Sequence, residues 1–334
     1  MKNILLITTG GTIASQQTKK GLRPGIDGEK LLSYIPSINN KCKVDIISLY
    51  NIDSTNVYYK HWLKIAECIK DNYQKYDGFI ICHGTDTMSY TASALSYLIQ
   101  NSKKPIVLTG AQKPINLDIS DAKTNLLDAF TYACEDGARG VVLIFNGNVI
   151  LGTRARKVRT KSFDAFNSID YPKIAIVKDG NVISYITNLS DDTKFYDKLN
   201  PNVGLLKLIP GTDDSVLEFM LNKYDALVIE SFGVGGLPTY EGNRFEEVVS
   251  KYTDQGKIIV MTTQVPNEGS DIAIYQVGHH LKSNPNVLEA YDMTTEAVVT
   301  KLMWILANNK DVEVIKKVFY STISNDILFK RDFK

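Results

Sequence analysis

Histidine and cysteine are both scarce in this chain of 334 residues, with four of each. The histidines, at positions 61, 83, 279 and 280, form neither HExxH nor HxH, so no zinc site is expected. Cys42, Cys68, Cys82 and Cys134 make no CxxC pair and are too few for a disulfide framework. Cys82 lies in an apolar run and reads as a small buried hydrophobe. No apolar run approaches the roughly 18 residues that a membrane helix needs. The formal net charge is only +1, which implies no surface for a nucleic acid or an anionic membrane. Lysine pairs such as Lys19-Lys20 and Lys316-Lys317 read as solvated faces. The chain enters a strand at its start, without the charged and apolar regions of a signal peptide. A reduced, cytoplasmic, soluble protein is expected.

What is present is an alternation of short apolar runs with longer amphipathic segments. Strands are expected at 3–9, 44–50, 77–83, 105–109 and 140–147, with helices at 58–74, 87–101 and 119–136. In the last of these, Ala122, Leu126, Leu127 and Phe130 recur on one face at helical spacing. Near-continuous apolar strands separated by helices predict an α/β fold with a doubly wound, mainly parallel sheet. Asp179-Gly180-Asn181 marks a hairpin turn within 173–187. The first domain is expected over 1–187, and the polar segment 188–202 reads as a linker. A second alternation follows, with strands at 203–209, 226–232 and 257–263 and helices at 214–223, 243–255, 294–308 and 311–320. It predicts a smaller C-terminal α/β domain over 203–334.

Ligands of a doubly wound sheet sit at the carboxyl ends of its strands. Those ends read TTGGTIAS, NIDSTN, HGTDTMSY and TGAQKP in chain order. All four are rich in hydroxyls, glycine, acids or amides. TTGGTIAS matches neither nucleotide fingerprint, GxGxxG or GxxxxGK[ST]. Its glycine pair can make a plain tight turn, or bring backbone N–H groups up to an oxyanion with Thr12 just beyond. In HGTDTMSY, Thr85 or Asp86 can simply cap the next helix. Alternatively, the pair can set a hydroxyl beside a carboxylate that holds an amine. A threonine attacks only once a base takes its proton. A part-buried lysine among other cations can serve as that base, and the segment GTRARKVRTKSFDAF offers Lys157 and Lys161.

With these residues in view the chain resembles the bacterial-type L-asparaginase family, nearer its cytoplasmic type I branch. TGGTIA at 9–14 and HGTDTM at 83–88 carry the resemblance. It is supported by DST at 53–55, TGAQ at 109–112, GTRARKV with FDAF at 152–166, SFGVGG at 231–236, TQVPNEGSD at 263–271 and DMTTEA at 292–297. The matches run in order along essentially the whole chain. The resemblance implies hydrolysis of L-asparagine to L-aspartate and ammonia through an acyl-threonine, with weak glutaminase activity at most. It implies Thr12 as nucleophile and Thr85, Asp86 and Lys157 as a second catalytic group. Asp53 and Ser54, with neighbouring Thr55, would bind the α-amino and α-carboxylate groups. The backbone at Gly84, Thr85 and Ala111 would orient the amide, and Thr9 would be structural. It implies no cofactor and no metal, and a homodimer or homotetramer.

The polar segment after Thr12, with Gly21, Pro24, Gly25 and Gly28, reads as a flexible lid. Many family members carry a tyrosine there, but this chain has none between Thr12 and Gly28, and Leu22 stands near that place. Tyr291 is one candidate substitute. Two alternatives remain: a non-catalytic amino-acid sensor, and the glutaminase-like component of a tRNA-dependent amidotransferase. The latter carries an extra domain before the TGGT motif, which here begins at residue 9.

Overall fold

A computed structural model describes residues 1–18, 21–187, 192–240, 242–274, 281 and 284–329. The chain divides into two compact units, Met1–Asp197 and Lys198–Lys334. The first unit begins with β1 (Lys2–Gly10), the short antiparallel pair β2 (Ser15–Thr18) and β3 (Gly21–Pro24), helix α1 (Gly28–Ser33) and β4 (Cys42–Ile52). Next come α2 (Tyr59–Asn72), β5 (Gly78–Cys82), α3 (Met88–Leu98), β6 (Ile99–Gln100), β7 (Pro105–Thr109), α4 (Ala122–Ala133) and β8 (Gly140–Phe145). It closes with β9 (Asn148–Leu151), β10 (Ala155–Lys157), β11 (Phe166–Ser168), β12 (Ala175–Lys178), β13 (Asn181–Ser184) and β14 (Lys194–Phe195).

Eight of these strands form one sheet in the order β13-β12-β9-β8-β7-β5-β1-β4. The five strands from β8 to β4 are mutually parallel, and β9, β12 and β13 add antiparallel at the other side. Strands β1, β5, β7 and β8 are buried on both faces, which is why their sequences show no alternation, whereas the edge strand β4 is partly exposed. On one face, Leu31, Leu126 and Phe130 from α1 and α4 join Ile4, Ile80, Val107 and Val142 in the core. Helices α2 and α3 pack together on the other, tied by the Trp62 Nε1 to Thr91 Oγ1 hydrogen bond (3.0 Å).

The chain steps from β1 to β4 on one side, then returns to place β5 on the other side of β1. The topological switch point therefore lies between β1 and β5. The crevice beyond their carboxyl ends is where such sheets bind ligands. This strand order is invisible in the sequence and sets the location of everything that follows.

The segment expected as a flexible lid carries the β2–β3 ladder, with Thr18 opposite Gly21. Its polar Ser, Gln and Thr residues give no apolar alternation from which to read strands. Both ends are pinned at Ala14, whose carbonyl accepts from Gly25 N (3.0 Å) and Ile26 N (2.9 Å). Of the expected linker, 188–191 lie outside the described residues, and β14 pairs with β6.

In the second unit, β15 (Val203–Lys207), β16 (Ala226–Ser231), β17 (Ile258–Thr263) and β18 (Val287–Glu289) form a parallel sheet in chain order. The second unit also carries helices α5 (Asp214–Lys223), α6 (Phe245–Thr253), α7 (Thr295–Asn308) and α8 (Val312–Phe319). Leu217, Leu221, Phe245 and Val249 from α5 and α6 meet Leu227, Ile229, Ile259 and Met261 of the sheet. Among the described residues no helix is long and apolar enough to cross a membrane.

The second unit also buries an ion pair completely. Lys301 Nζ of α7 lies 2.6 Å from Asp326 Oδ2, with both side chains at 0% exposure. Removing one partner strands a charge without water, at a cost of about 3–5 kcal/mol. Lys301→Met is therefore expected to lower the midpoint of urea unfolding sharply, and a midpoint within error of wild type would refute this reading of the pair.

Candidate active site

The turn after β1 requires glycine. Gly10 and Gly11 adopt φ of +101° and +82°, in the region that side-chain-bearing residues avoid. A Cβ on Gly11 would strike the backbone of Gly84, and one on Gly84 would lie 2.5 Å from Ser54 Oγ. Gly11 N also donates to Ile52 O at the end of β4 (3.1 Å). The ends of β1, β4 and β5 thus touch at the level of the backbone. Gly11 leads into a 3-10 turn, Thr12–Ala14, and Ser15 Oγ donates back to Gly11 O (2.9 Å).

After β4, Asp53 folds the chain into an Asx turn. Its Oδ1 accepts from Thr55 N and Thr55 Oγ1, both at 2.9 Å. Thr87 Oγ1 donates to Ser54 O (2.8 Å), tying this turn to the start of α3. After β5 comes buried Thr85, then exposed Asp86. Lys157 arrives from β10, held opposite Phe166 of β11. Its Nζ donates to Thr85 Oγ1 (2.8 Å) and to Asp86 Oδ1 (2.6 Å). The lysine side chain is 17% exposed and the aspartate 57%. Lys161, which spacing alone could not separate from Lys157, is solvent-exposed.

Gly11, Thr12, Ser15, Asp53, Ser54, Gly84, Thr85 and Asp86 line one cleft of about 90 Å³. That is far below the ~300–1,000 Å³ of pockets for drug-sized ligands and suits a ligand of few heavy atoms. Three of the expected residues do not line it. Lys157 is linked to it only through its bonds to Thr85 and Asp86. Thr55 is turned to its own Asp53, and Ala111 is fully buried at the end of β7. Beside Ala111, Gln112 holds a place that its residue type alone did not reveal: its Oε1 accepts from Thr85 Oγ1 (3.2 Å). The TGAQ turn is anchored by Asp121, whose carboxylate accepts from Gln112 N (2.9 Å) and Lys113 N (3.1 Å). Asn125 adds a bond to Gly110 O (3.0 Å). The Asp-x-x-x-Asn spacing at 121 and 125 was the available signal for this anchor. Tyr291 is 1% exposed, and its ring packs on Tyr320 and Phe329 within the second unit.

Behind the cleft, His83 is fully buried. Its Nδ1 lies 2.7 Å from Gly84 O, and a carbonyl can only accept, so Nδ1 carries the proton. Nε2 then accepts from Thr91 Oγ1 (3.0 Å). Burial pushes this imidazole down to about 4, which leaves it neutral. Burial likewise pushes the Cys82 thiol up to about 12, leaving it unreactive. Among the described residues, no three His, Cys, Asp or Glu side chains are grouped to hold a metal ion.

The chain is a two-unit α/β protein whose first unit carries a polar cleft at the switch point, with hydroxyls after three strand ends and a lysine bonded to a carboxylate of its wall. The chain belongs to the asparaginase family. Residues 3–190 match Asparaginase, N-terminal, and residues 202–319 match the Glutaminase/Asparaginase C-terminal domain. It is 38% identical to the L-asparaginase of Thermococcus kodakarensis, covering 97% of this chain and 98% of that one. The solved thermostable L-asparaginase from that organism superposes with a TM-score of 0.91 at 37% identity, over 98% of this chain and all (100%) of the other. L-asparaginase 1 of Escherichia coli K12 is 32% identical over 98% of both chains. A glutamyl-tRNA(Gln) amidotransferase component from Pyrococcus horikoshii is 31% identical over 98% of this chain and 77% of its own length.

His83 gives the site a pH signature. Its pKa falls from the ordinary 6.5 to about 4 on folding, so between those values the unfolded chain binds the extra proton. The contribution to stability is full above pH 6.5 and is lost as pH falls towards 4, by up to about 3 kcal/mol. Asp128 acts oppositely: burial pushes its carboxyl up to about 6, so its contribution weakens as pH rises from 3.8. His83→Gln is expected to flatten the acid side of the stability curve measured by urea unfolding from pH 7 to pH 4. An unchanged slope would show that His83 is not the group responsible.

Proposed function

We propose that this protein hydrolyses L-asparagine to L-aspartate and ammonia through an acyl-threonine intermediate. The observation that carries this reading is the cleft at the β1–β5 switch point, lined by Thr12, Thr85 and Asp86, with Lys157 bonded to the last two. Thr12 Oγ attacks the side-chain amide carbon, the C–N bond breaks, and nitrogen leaves as ammonia after gaining a proton. Water then attacks the ester, releasing aspartate and restoring the hydroxyl. The division replaces one difficult hydrolysis by two easier steps.

Asp86 and Asp53 receive the α-ammonium, and Ser54 receives the α-carboxylate. Both hydrogen bonds inside the Asp53 turn fall on Oδ1, which leaves Oδ2 for the ligand. Lys157 and Thr85 manage the proton of the attacking water. For Lys157 to accept a proton it must be neutral, and the Thr85 hydroxyl must turn from Gln112 to Nζ. Glutamine is one methylene longer, and a methylene is worth ~1–3 kcal/mol in a pocket. Asparagine is the preferred substrate, with glutamine a weak one. The proposed setting is the cytoplasm, as a homodimer or homotetramer; the four cysteines are unbridged, as a reducing compartment would keep them.

Ammonia release with L-asparagine and L-glutamine titrated separately tests the reaction. Rapid release from asparagine is the expected result. No release, with asparagine still raising Tm, would replace the enzyme by a sensor. Thr12→Ala is expected to abolish turnover while leaving asparagine binding, followed by thermal shift, largely intact; wild-type rates would sink the nucleophile assignment. Lys157→Met is expected to lower kcat by orders of magnitude with little change in Tm. Equal damage from Lys161→Met would mean that the wrong lysine has been chosen.

A further inference from the structure

Lys157 lies on a three-residue strand that belongs to no part of the main sheet. Thr85 and Asp86 immediately precede α3. A base and a hydroxyl on separate pieces of chain keep a 2.8 Å contact only if something holds the pieces in register.

The chain leaves β9 at Leu151 and reaches β10 at Ala155 through a turn that begins at Gly152. That turn is pressed onto the middle of α3. Ser93 Oγ, on a fully buried side chain, donates to Gly152 O (3.0 Å). A Cβ on Gly152 would lie 2.6 Å from Ser96 Oγ and 2.8 Å from Ala92 O, so glycine is what lets the two backbones close. Gly152 N is meanwhile held by Val141 O of β8 (3.0 Å). Thr153 and Arg154, next in the chain, are fully buried, and Ile169 N donates to Arg154 O (2.9 Å). From Gly152 to Lys157 no residue is exposed. A displacement at Gly152 is therefore passed along a confined run to the lysine five residues on.

We propose that Ser93 is a positioning residue: its hydrogen bond to Gly152 indexes the Lys157 strand to the helix whose N-terminal end carries Thr85 and Asp86. The acid–base group thus has both halves referred to one rigid element. This rests on the role proposed above for Lys157. Ser93 never meets substrate, so its loss acts on the chemical step and leaves substrate binding alone.

The test is Ser93→Ala, which deletes the donor with little change in volume. A misplacement near 1 Å costs about 100-fold in rate, and the expected loss in kcat is about 10- to 100-fold with KM within about threefold. The comparison is Ser96→Ala on the same helix. Among the described residues Ser96 Oγ donates to Ala92 O within its own helix (2.8 Å) and makes no bond to Gly152, and its removal is expected to keep kcat within about twofold. The decisive readout is a double-mutant cycle with Lys157→Met. In that background Ser93→Ala is expected to cause no further loss of the residual rate, because the group it positions is gone. Equal losses in both backgrounds, or a kcat for Ser93→Ala no lower than for Ser96→Ala, would overturn the proposal. If Lys157→Met itself retains full activity, the reading of Lys157 fails instead, which keeps the two failures apart. Should the alanine variant not fold, Ser93→Cys keeps a weak donor in place and is expected to show a smaller loss with the same non-additivity; additive losses would again overturn it.

Discussion

The site depends on backbones being allowed to touch. Gly11 presses on Gly84 and Gly84 on Ser54, and in each case a single methyl group would fill the contact. These three residues follow β1, β5 and β4, the strands around the switch point. With side chains at 11 and 84, the turns would stand apart and Thr12 would move away from Thr85. The sheet selects the place, because only there do adjacent parallel strands send their following turns to opposite sides. Glycine then sets the scale, and the result is a cleft of about 90 Å³.

Rigidity around the cleft comes from buried polar groups that are paired. Neutral His83 joins Gly84 O to Thr91, and Thr91 accepts from Trp62, so α2 and α3 both support the turn that bears Thr85. Asp121 and Asn125 do the same for the TGAQ turn. Ser93 does so for the strand bearing Lys157. Each is a polar residue inside apolar packing, where an unpaired group costs more than its bond returns. Such groups hold one arrangement well because every alternative leaves something unsatisfied.

Much of this was legible from residue order and part was not. The long apolar runs announced β1, β5 and β7, and helices α2 and α4 followed from their periodicity. Strand ends rich in Thr, Gly, Ser and Asp marked the candidate site, since residues of that kind have little reason to gather after buried strands. The β2–β3 ladder escaped because its sequence shows no apolar alternation, and β18 because it is three residues long. Ala111 belongs to the matching motif, yet it sits behind the wall. The preference for Lys157 over Lys161 is a matter of which side chain a short antiparallel ladder turns inward. A pairing between residues 155–157 and 166–168 leaves no periodic trace in a segment crowded with cations.

The charges around the cleft fix what can enter it. Among the described residues that line the cleft, the charged ones are Asp53 and Asp86, and the nearby cation Lys157 makes its closest contact with Asp86. The wall is therefore short of positive charge. A ligand with an α-ammonium supplies it, whereas a simple amide of the same size does not, and a dicarboxylate adds to the excess. Asparagine is zwitterionic and its side chain is neutral, so it arrives with the missing cation and only one carboxylate. Aspartate, the product of the proposed reaction, carries one more negative charge into the same cleft. In the proposed reaction, hydrolysis would turn a ligand that complements the wall into one that it repels, so the electrostatics that favour entry of the substrate would also favour departure of the product.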